Sequence, residues 1–525
     1  MKGIEFLPAT NFNAAESKTF LLTFFLFGLS LIFITAANPI GDFANYYYGS
    51  KFFFEGIDVI KFYRDIHFFN SEIRLYESGT FFENFTPVPP FSLLAYLPFL
   101  FFKCTVSKIV FNFCGLLVLL FSVSRLIKSL SFFSYWFYLL PFIFFQSLYS
   151  NFHQGQSYLL ICALLIEFYL CYIKEAKLRS GLIVAILFSL KIFPVFIILL
   201  PFCKKDKKTM AFFIIFLVFV QSITYICIGG EPFWYYYLEV LPRLAINDVT
   251  EPFGYFNQSL HVFLINLFVF HPYLNPSPLL NLPMFVPAIQ AIVYGFILSV
   301  FIKALSTRTV YESFAMLILA LILINQYSPV YSLLLSLPAV FLLRELKGSK
   351  KVLMLLILLL AFNIPVYKLS GLSTGIQYIR LWLLLIYFVI IGYQYKLKPS
   401  LLSFVILVAL FGITSLGFQN RSLKQGINLS GNDVVYDFKT SADHIKLFSC
   451  LGNSDTTRRL SFQINKVQLL TVSANSHRVM FGENTLYRSA ATLKKSVLVN
   501  DTSLLVLSDE NRGVGMYRLI HFIIK

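Results

Sequence analysis

The sequence predicts an all-α polytopic membrane protein, a bundle of about eleven spans plus one bent half-helix pair, carrying a small β-rich C-terminal domain. Three observations point there. Of 525 residues, 57% are hydrophobic and only 13% charged, with a mean hydropathy of +0.72, too little polar surface for a soluble domain of this length. The 61 Phe and 30 Tyr suit lipid-facing helices and interfacial aromatic belts. Apolar runs of spanning length recur along the chain and stop near residue 418, where polar residues take over.

The net charge of +17 does not form a nucleic-acid patch. Much of it falls in short loops between apolar runs: Lys174, Lys177 and Arg179; Lys204, Lys205, Lys207 and Lys208; Arg344, Lys347, Lys350 and Lys351; Lys396 and Lys398. Such clusters mark cytoplasmic loops and exclude a contiguous nucleic-acid face. The seven Cys hold no CxxC pair and no His at metal spacing, so neither a disulfide framework nor a metal cluster is expected. No cofactor is expected either.

Phe20 to Ala37 is read as a retained first span running outward from a cytoplasmic N-terminus. It delivers Asn38 to Pro90 to the far side, within a first extracytoplasmic loop taken as 38–105, a length that is usually functional. Pro90 to Phe102 is apolar but too short to cross. Spans follow at 106–124, 131–149 and 157–173, with Ser150 to Gln156 as an outer turn. Ser180 to Cys203 has basic clusters on both flanks, so one crossing would leave one cluster outside. Two half-helices bent at Lys191 and Pro194 keep both inside, an arrangement tolerated where backbone lines a cavity. Further spans are expected at 209–229, 284–303, 310–326, 328–343, 351–367, 377–395 and 400–418, with a second outer loop from 229 to 284. Residues 1–418 then form one membrane domain and 419–525 a β-rich extracytoplasmic domain, with strands suggested by Asp433-Val-Val-Tyr-Asp-Phe, Ser496-Val-Leu-Val and Ser503-Leu-Leu-Val-Leu.

Inside the spans the charged residues are few, chiefly Glu167 and Lys191, while polar groups gather in the outer loops. That asymmetry favours a site at the outer interface over a path across the bilayer. Asp42 opens a surface helix directly after a span. It reads either as a helix N-cap or as a general base at a cavity mouth. Asp58 and Asp65 are rivals to Asp42 within the same loop, read first as solvated charges beside Lys61 and Arg64.

Several short motifs follow one another along the chain: Asp42-Phe-x-x-Tyr-Tyr, Gly56, Phe85-Thr-Pro-Val-Pro-Pro-Phe, Leu97-Pro, Gly155-Gln, Lys191-x-x-Pro, Asn257-Gln-Ser-Leu and Ser328-Pro. In that order they resemble the GT-C type glycosyltransferases of family 87. The resemblance covers about residues 20–420. It implies a GT-C bundle that moves a hexose, mannose in many members, from a polyprenyl-phosphate donor to a glycan or glycolipid acceptor in the cell envelope. It implies inversion at the anomeric carbon and a location in the cytoplasmic (inner) membrane, with the membrane lipid itself as a partner. Asp42 matches the family's first-loop acid and becomes the expected base. Lys191 is the expected holder of the donor phosphate; Gln156, Gln258, Tyr46, His153 and Arg243 are expected to bind donor phosphate or sugar, with Arg380 as a weaker phosphate partner. One departure stands out: some members place a His shortly after the late Ser-Pro, where this chain has Leu333, Leu334 and Leu335. Rival readings are a transporter or lipid flippase, which would survive Asp42→Asn, and an envelope scaffold that works through its tail.

Overall fold

The computed structural model describes residues 14–38, 40–77, 87–245, 253–271, 274–398 and 400–419. In the C-terminal region it describes 427–428, 434–440, 444–451, 454–461, 468–472, 478–481, 484–488, 493–500, 503–508 and 517–523. Phe85 and Thr86 of the quoted motif, and Asp433, lie outside the described residues. The chain divides into two compact units: Met1–Phe43, Leu94–Thr224 and Phe253–Leu416 form one, and Ala44–Leu93, Tyr225–Pro252 and Gly417–Lys525 the other.

The first unit is helical. Among the described residues, four helices are long and apolar enough to cross a membrane alone: Ala14–Ala36, Cys104–Leu130, Lys207–Ile228 and Phe285–Thr307. The pair Phe145–Gln154 and Tyr158–Ile173, bent by 118°, makes a fifth candidate. Val310–Ile324 is apolar on every side and buried without interruption from Tyr311 to Leu323, so it runs through the core of the unit. Its start is a capping box: Thr309 accepts from the Glu312 N–H while the Glu312 carboxylate accepts from the Thr309 N–H. Glu167, one of the two intramembrane charges flagged by sequence, is ion-paired with Arg125 and bonded by Ser122 at 2.9 Å. It is thereby committed to packing.

The structure departs from the expected spans at two places. The 131–149 run is not one helix but Tyr135–Leu139, Leu140–Ile143 and Phe145–Gln154, and the last of these runs through Ser150 to Gln154 of the segment expected as an outer turn, leaving the turn to Gly155 and Gln156. The 328–343 run is likewise Val330–Ser336, Leu337–Val340 and Phe341–Glu345. Pro141 and Pro338 each stand in the first turn of a new segment. A proline lacks the N–H that the preceding turn needs and its ring collides with that turn, so the helix restarts there. The predicted break at Lys191 is present: Lys177–Leu190 ends where Lys191 turns extended (φ −159°, ψ 119°), and a 3-10 turn resumes over Phe193–Ile198 with Pro194 near its start.

The second unit joins short loop helices with the C-terminal strands. Val59–Arg64 and Ile66–Ile73 are each capped by an acid: Asp58 accepts from the Ile60 N–H at 3.0 Å, and Asp65 from the His67 and Phe68 N–H groups. The described strands are β1 (Ile427–Asn428), β2 (Val434–Thr440), β3 (His444–Leu451), β4 (Ser454–Ser461), β5 (Gln468–Val472), β6 (Arg478–Phe481), β7 (Asn484–Arg488), β8 (Leu493–Asn500), β9 (Ser503–Ser508) and β10 (Arg518–Ile523). They pair antiparallel in the orders β1-β10-β9-β8-β5-β6-β7 and β2-β3-β4. Val435, Phe438, Ile445 and Leu447 of the small sheet share one core with Val497, Leu505, Leu507 and Leu519 of the large one, which is a sheet-on-sheet sandwich. The sandwich meets the loop helices of its own unit through Tyr517 Oη, which donates to the Arg64 carbonyl at 2.9 Å, through Lys494 paired with Asp65, and through His67 stacked on Tyr436 at 3.9 Å.

Candidate functional site

Two tight turns of the first unit meet around Asp42. Helix Phe145–Gln154 ends at Gly155 in the left-handed conformation (φ +66°), where the Gly155 and Gln156 N–H groups both donate to the Asn151 carbonyl. A Cβ at Gly155 would lie 2.5 Å from the Cβ of Phe43. Only glycine lets the turn close on the chain beside Asp42. The opposing turn uses Gly41 (φ +65°), where a Cβ would lie 2.5 Å from Gln154 Oε1. Gln154 Oε1 accepts from the Asp42 N–H at 3.3 Å, and Gln156 Nε2 donates to Asp42 Oδ2 at 2.6 Å.

Lys191, placed by the extended break in its helix, holds its ammonium 4.0 Å from the centroid of the Tyr158 ring. The Tyr158 and Tyr331 rings pack 5.1 Å apart, and Tyr158, Tyr327 and Tyr331 all lie within electrostatic reach of the Asp42 carboxylate. Desolvation raises the Asp42 pKa above the usual carboxylate range, opposed by the Gln156 hydrogen bond and by the positive charges of Lys191 and Lys108. A carboxylate biased towards accepting a proton, beside two ammonium groups and aromatic faces, suits proton abstraction next to an anionic ligand.

The expected residues separate. Asp42, Gln156 and Lys191 come together. His153 lies on the helix that leads into the same turn, its ring parallel to Tyr149 at 5.9 Å and its Nδ1 buried without a partner. Gln258 is 1% exposed, and its Nε2 donates to the Tyr255 and Gln377 carbonyls at 2.6 and 2.9 Å. Arg380 similarly donates to the Ala361 and Ile364 carbonyls, both at 2.9 Å. Tyr46 and Arg243 are buried members of the other unit. Lys108 was not singled out from the sequence. It sits in the first turns of Cys104–Leu130 and is 3% exposed. The available signal was a cation inside a run read as a span.

The Asn257 and Ser328 motifs are tied to each other. Asn257 Oδ1 accepts from the Ser328 N–H at 2.7 Å, Asn257 Nδ2 donates to the Gln326 carbonyl at 3.0 Å, and the Gln258 N–H donates to the Ser328 carbonyl at 3.3 Å. Among the described residues no group of three or more His, Cys, Asp or Glu is arranged to hold a metal ion.

The profile of glycosyltransferase family 87 matches residues 85–336. That stretch contains Lys108, Gln156, Lys191, Asn257 and Ser328, and Asp42 precedes it. No curated protein and no solved structure matches the chain. Similarity to this family implies glycosyl transfer, and the apolar helices imply a membrane protein.

Proposed function

We propose that this chain is an inverting glycosyltransferase that moves a hexose from a polyprenyl-phosphate donor to a glycan or glycolipid acceptor at the outer face of a cytoplasmic membrane. The observation that carries the reading is the Asp42 carboxylate, bonded to Gln156 at 2.6 Å and within electrostatic reach of the Lys191 ammonium. The similarity to family 87 over residues 85–336 supports the reaction class.

In this reading the acceptor hydroxyl oxygen attacks C1 of the donor sugar and its proton passes to Asp42. The bond from C1 to the phosphate oxygen breaks, and its electron pair stays on the departing lipid phosphate. Lys191 meets the charge that grows there, the position where a fixed cation contributes most to rate. Attack in one step from the face opposite the leaving group inverts the anomeric carbon. Gln156 positions the carboxylate. The tyrosines around Lys191 offer faces to a sugar ring.

The topology that goes with it has a cytoplasmic N-terminus, about eleven crossings counting the proline-broken ones, a bent pair at Lys191, and residues 419–525 outside. Residues 1–418 carry the catalysis in this scheme. Single cysteines at Lys204, labelled from either side of sealed vesicles, test the orientation: labelling from the outer side overturns it. The donor is tested by presenting purified full-length protein with radiolabelled polyprenyl-phosphate hexoses and with nucleotide sugars. Transfer from the lipid donor alone is expected; transfer from a nucleotide sugar overturns the proposal.

A further inference from the structure

The same charged centre contains a second lysine that the reaction as drawn does not use. Lys108 lies on Cys104–Leu130, one helical turn before Asn112 and on the same face. That face abuts both turns that build the site. Phe111 packs on Phe43, the neighbour of Asp42, with ring centroids 5.5 Å apart, and Asn112 Nδ2 donates to the Phe152 carbonyl at 3.0 Å. Asn112 is 2% exposed with its Oδ1 unpartnered, and Asn151 is fully buried with both amide atoms unpartnered. Buried polar atoms of this kind ordinarily find a partner. A cation and unmatched amides share one packed corner.

We propose that Lys108 is the second phosphate-binding cation of the site, and that Lys108 and Lys191 together hold the phosphate of the donor and of the departing lipid, with Asn112 and Asn151 taking hydroxyl or phosphate oxygens beside it. The inference rests on the lipid-phosphate reading above and adds a charge balance to it. One ionised Asp42 and two lysines leave a single positive charge, matching the single negative charge of a sugar phosphodiester. When the C1–oxygen bond breaks, the phosphate becomes a monoester that carries nearly two negative charges at neutral pH. In the same step Asp42 takes the acceptor proton and becomes neutral, so two lysines face two negative charges. With Lys191 alone, the donor would meet a neutral site and the leaving phosphate an excess negative charge.

Farnesyl phosphate and farnesol, bound to the full-length protein in nanodiscs, separate the phosphate contribution from that of the chain. Wild type should prefer the phosphate by at least about tenfold, as expected for charge-assisted bonds. Asp42→Asn should bind farnesyl phosphate more tightly than wild type, a gain that misfolding cannot produce. Lys108→Met should remove most of the preference while leaving farnesol affinity unchanged, and Lys108→Arg should keep it. A preference retained in Lys108→Met overturns the role of Lys108 alone. A wild type that does not distinguish the two ligands overturns the lipid-phosphate reading itself. Should Lys108→Met be recovered unfolded, Lys191→Met in the Asp42→Asn background decides. A preference for farnesyl phosphate over farnesol that survives there supports a second cation, and one that vanishes overturns it.

Discussion

Two polar knots in the first unit are built from similar residues and end in different states. Around Asn257, most of the polarity goes to backbone: Asn257 bonds the Ser328 N–H and the Gln326 carbonyl, and Gln258 Nε2 bonds two further carbonyls, while Gln258 Oε1 and Gln326 Oε1 stay buried without a partner. Around Asp42, Gln156 bonds the carboxylate, but the remaining partners are charges, Lys191 at a helix break and Lys108 in the first turns of a long helix. The first knot spends its polarity on holding backbone segments together. The second keeps charge concentrated, which is costly in a desolvated place and is tolerated where it serves a reaction. Both knots carry motifs of the same family resemblance, so a shared motif does not by itself mean shared chemistry.

The comparison is broken most directly at Asp42. Asp42→Asn, which preserves the shape and the contact with Gln156, should cut turnover by about two to four orders of magnitude with unchanged thermal unfolding, the scale of a lost general base. Retained turnover with polyprenyl-phosphate sugar would move the base elsewhere. Lys191→Met follows at about a hundredfold or more, the scale of one lost electrostatic stabiliser of the leaving group, read as a fall in single-turnover rate.

How far the sequence reached is clearest at these two knots. The break at Lys191 was legible because basic clusters on both flanks forbid a simple crossing, and a turn ahead of Tyr158 because the apolar run stops there, although its expected start at Ser150 lies inside a helix that runs on to Gln154. Gln258 and Arg380 were expected at ligands, yet their donors end on carbonyls of Tyr255, Gln377, Ala361 and Ile364. Nothing in a linear sequence shows which distant carbonyl a side chain will meet. Lys108 escaped because a lysine near the start of an apolar run ordinarily snorkels to the interface; only packing reveals that this one is buried. The strand-forming runs of the tail were visible as apolar stretches between turns, whereas the sheet order rests on long-range pairing that local pattern does not encode. The prolines at 141 and 338 were in view, but hydropathy averaged over a window hid the breaks they impose.

The Asn257 knot should fail in a different currency. Asn257→Ala leaves the buried Ser328 N–H and the half-buried Gln326 carbonyl without their partner, a loss of about 1–3 kcal/mol in stability. Thermal unfolding in detergent should shift down, while the turnover of the folded fraction stays close to that of wild type. A full loss of turnover at unchanged stability would erase the distinction between the knots and place Asn257 among the reacting groups.

The finest test concerns the hydrogen bond between Gln156 and Asp42. A base must be ionised to act, so the rate falls as pH drops through its pKa, and desolvation already sets that acid limb above the ordinary carboxylate range. The Gln156 bond favours the ionised form and pulls the pKa down. Gln156→Leu removes it, so the acid limb of kcat/KM should move to higher pH, with the high-pH plateau reduced only by looser positioning. Asp42→Asn, by contrast, should lose the limb altogether. A Gln156→Leu enzyme whose limb stays in place, or moves to lower pH, would mean that the titrating group is not the carboxylate this amide holds, and the reacting base would then have to be sought outside the turn that Gly155 closes.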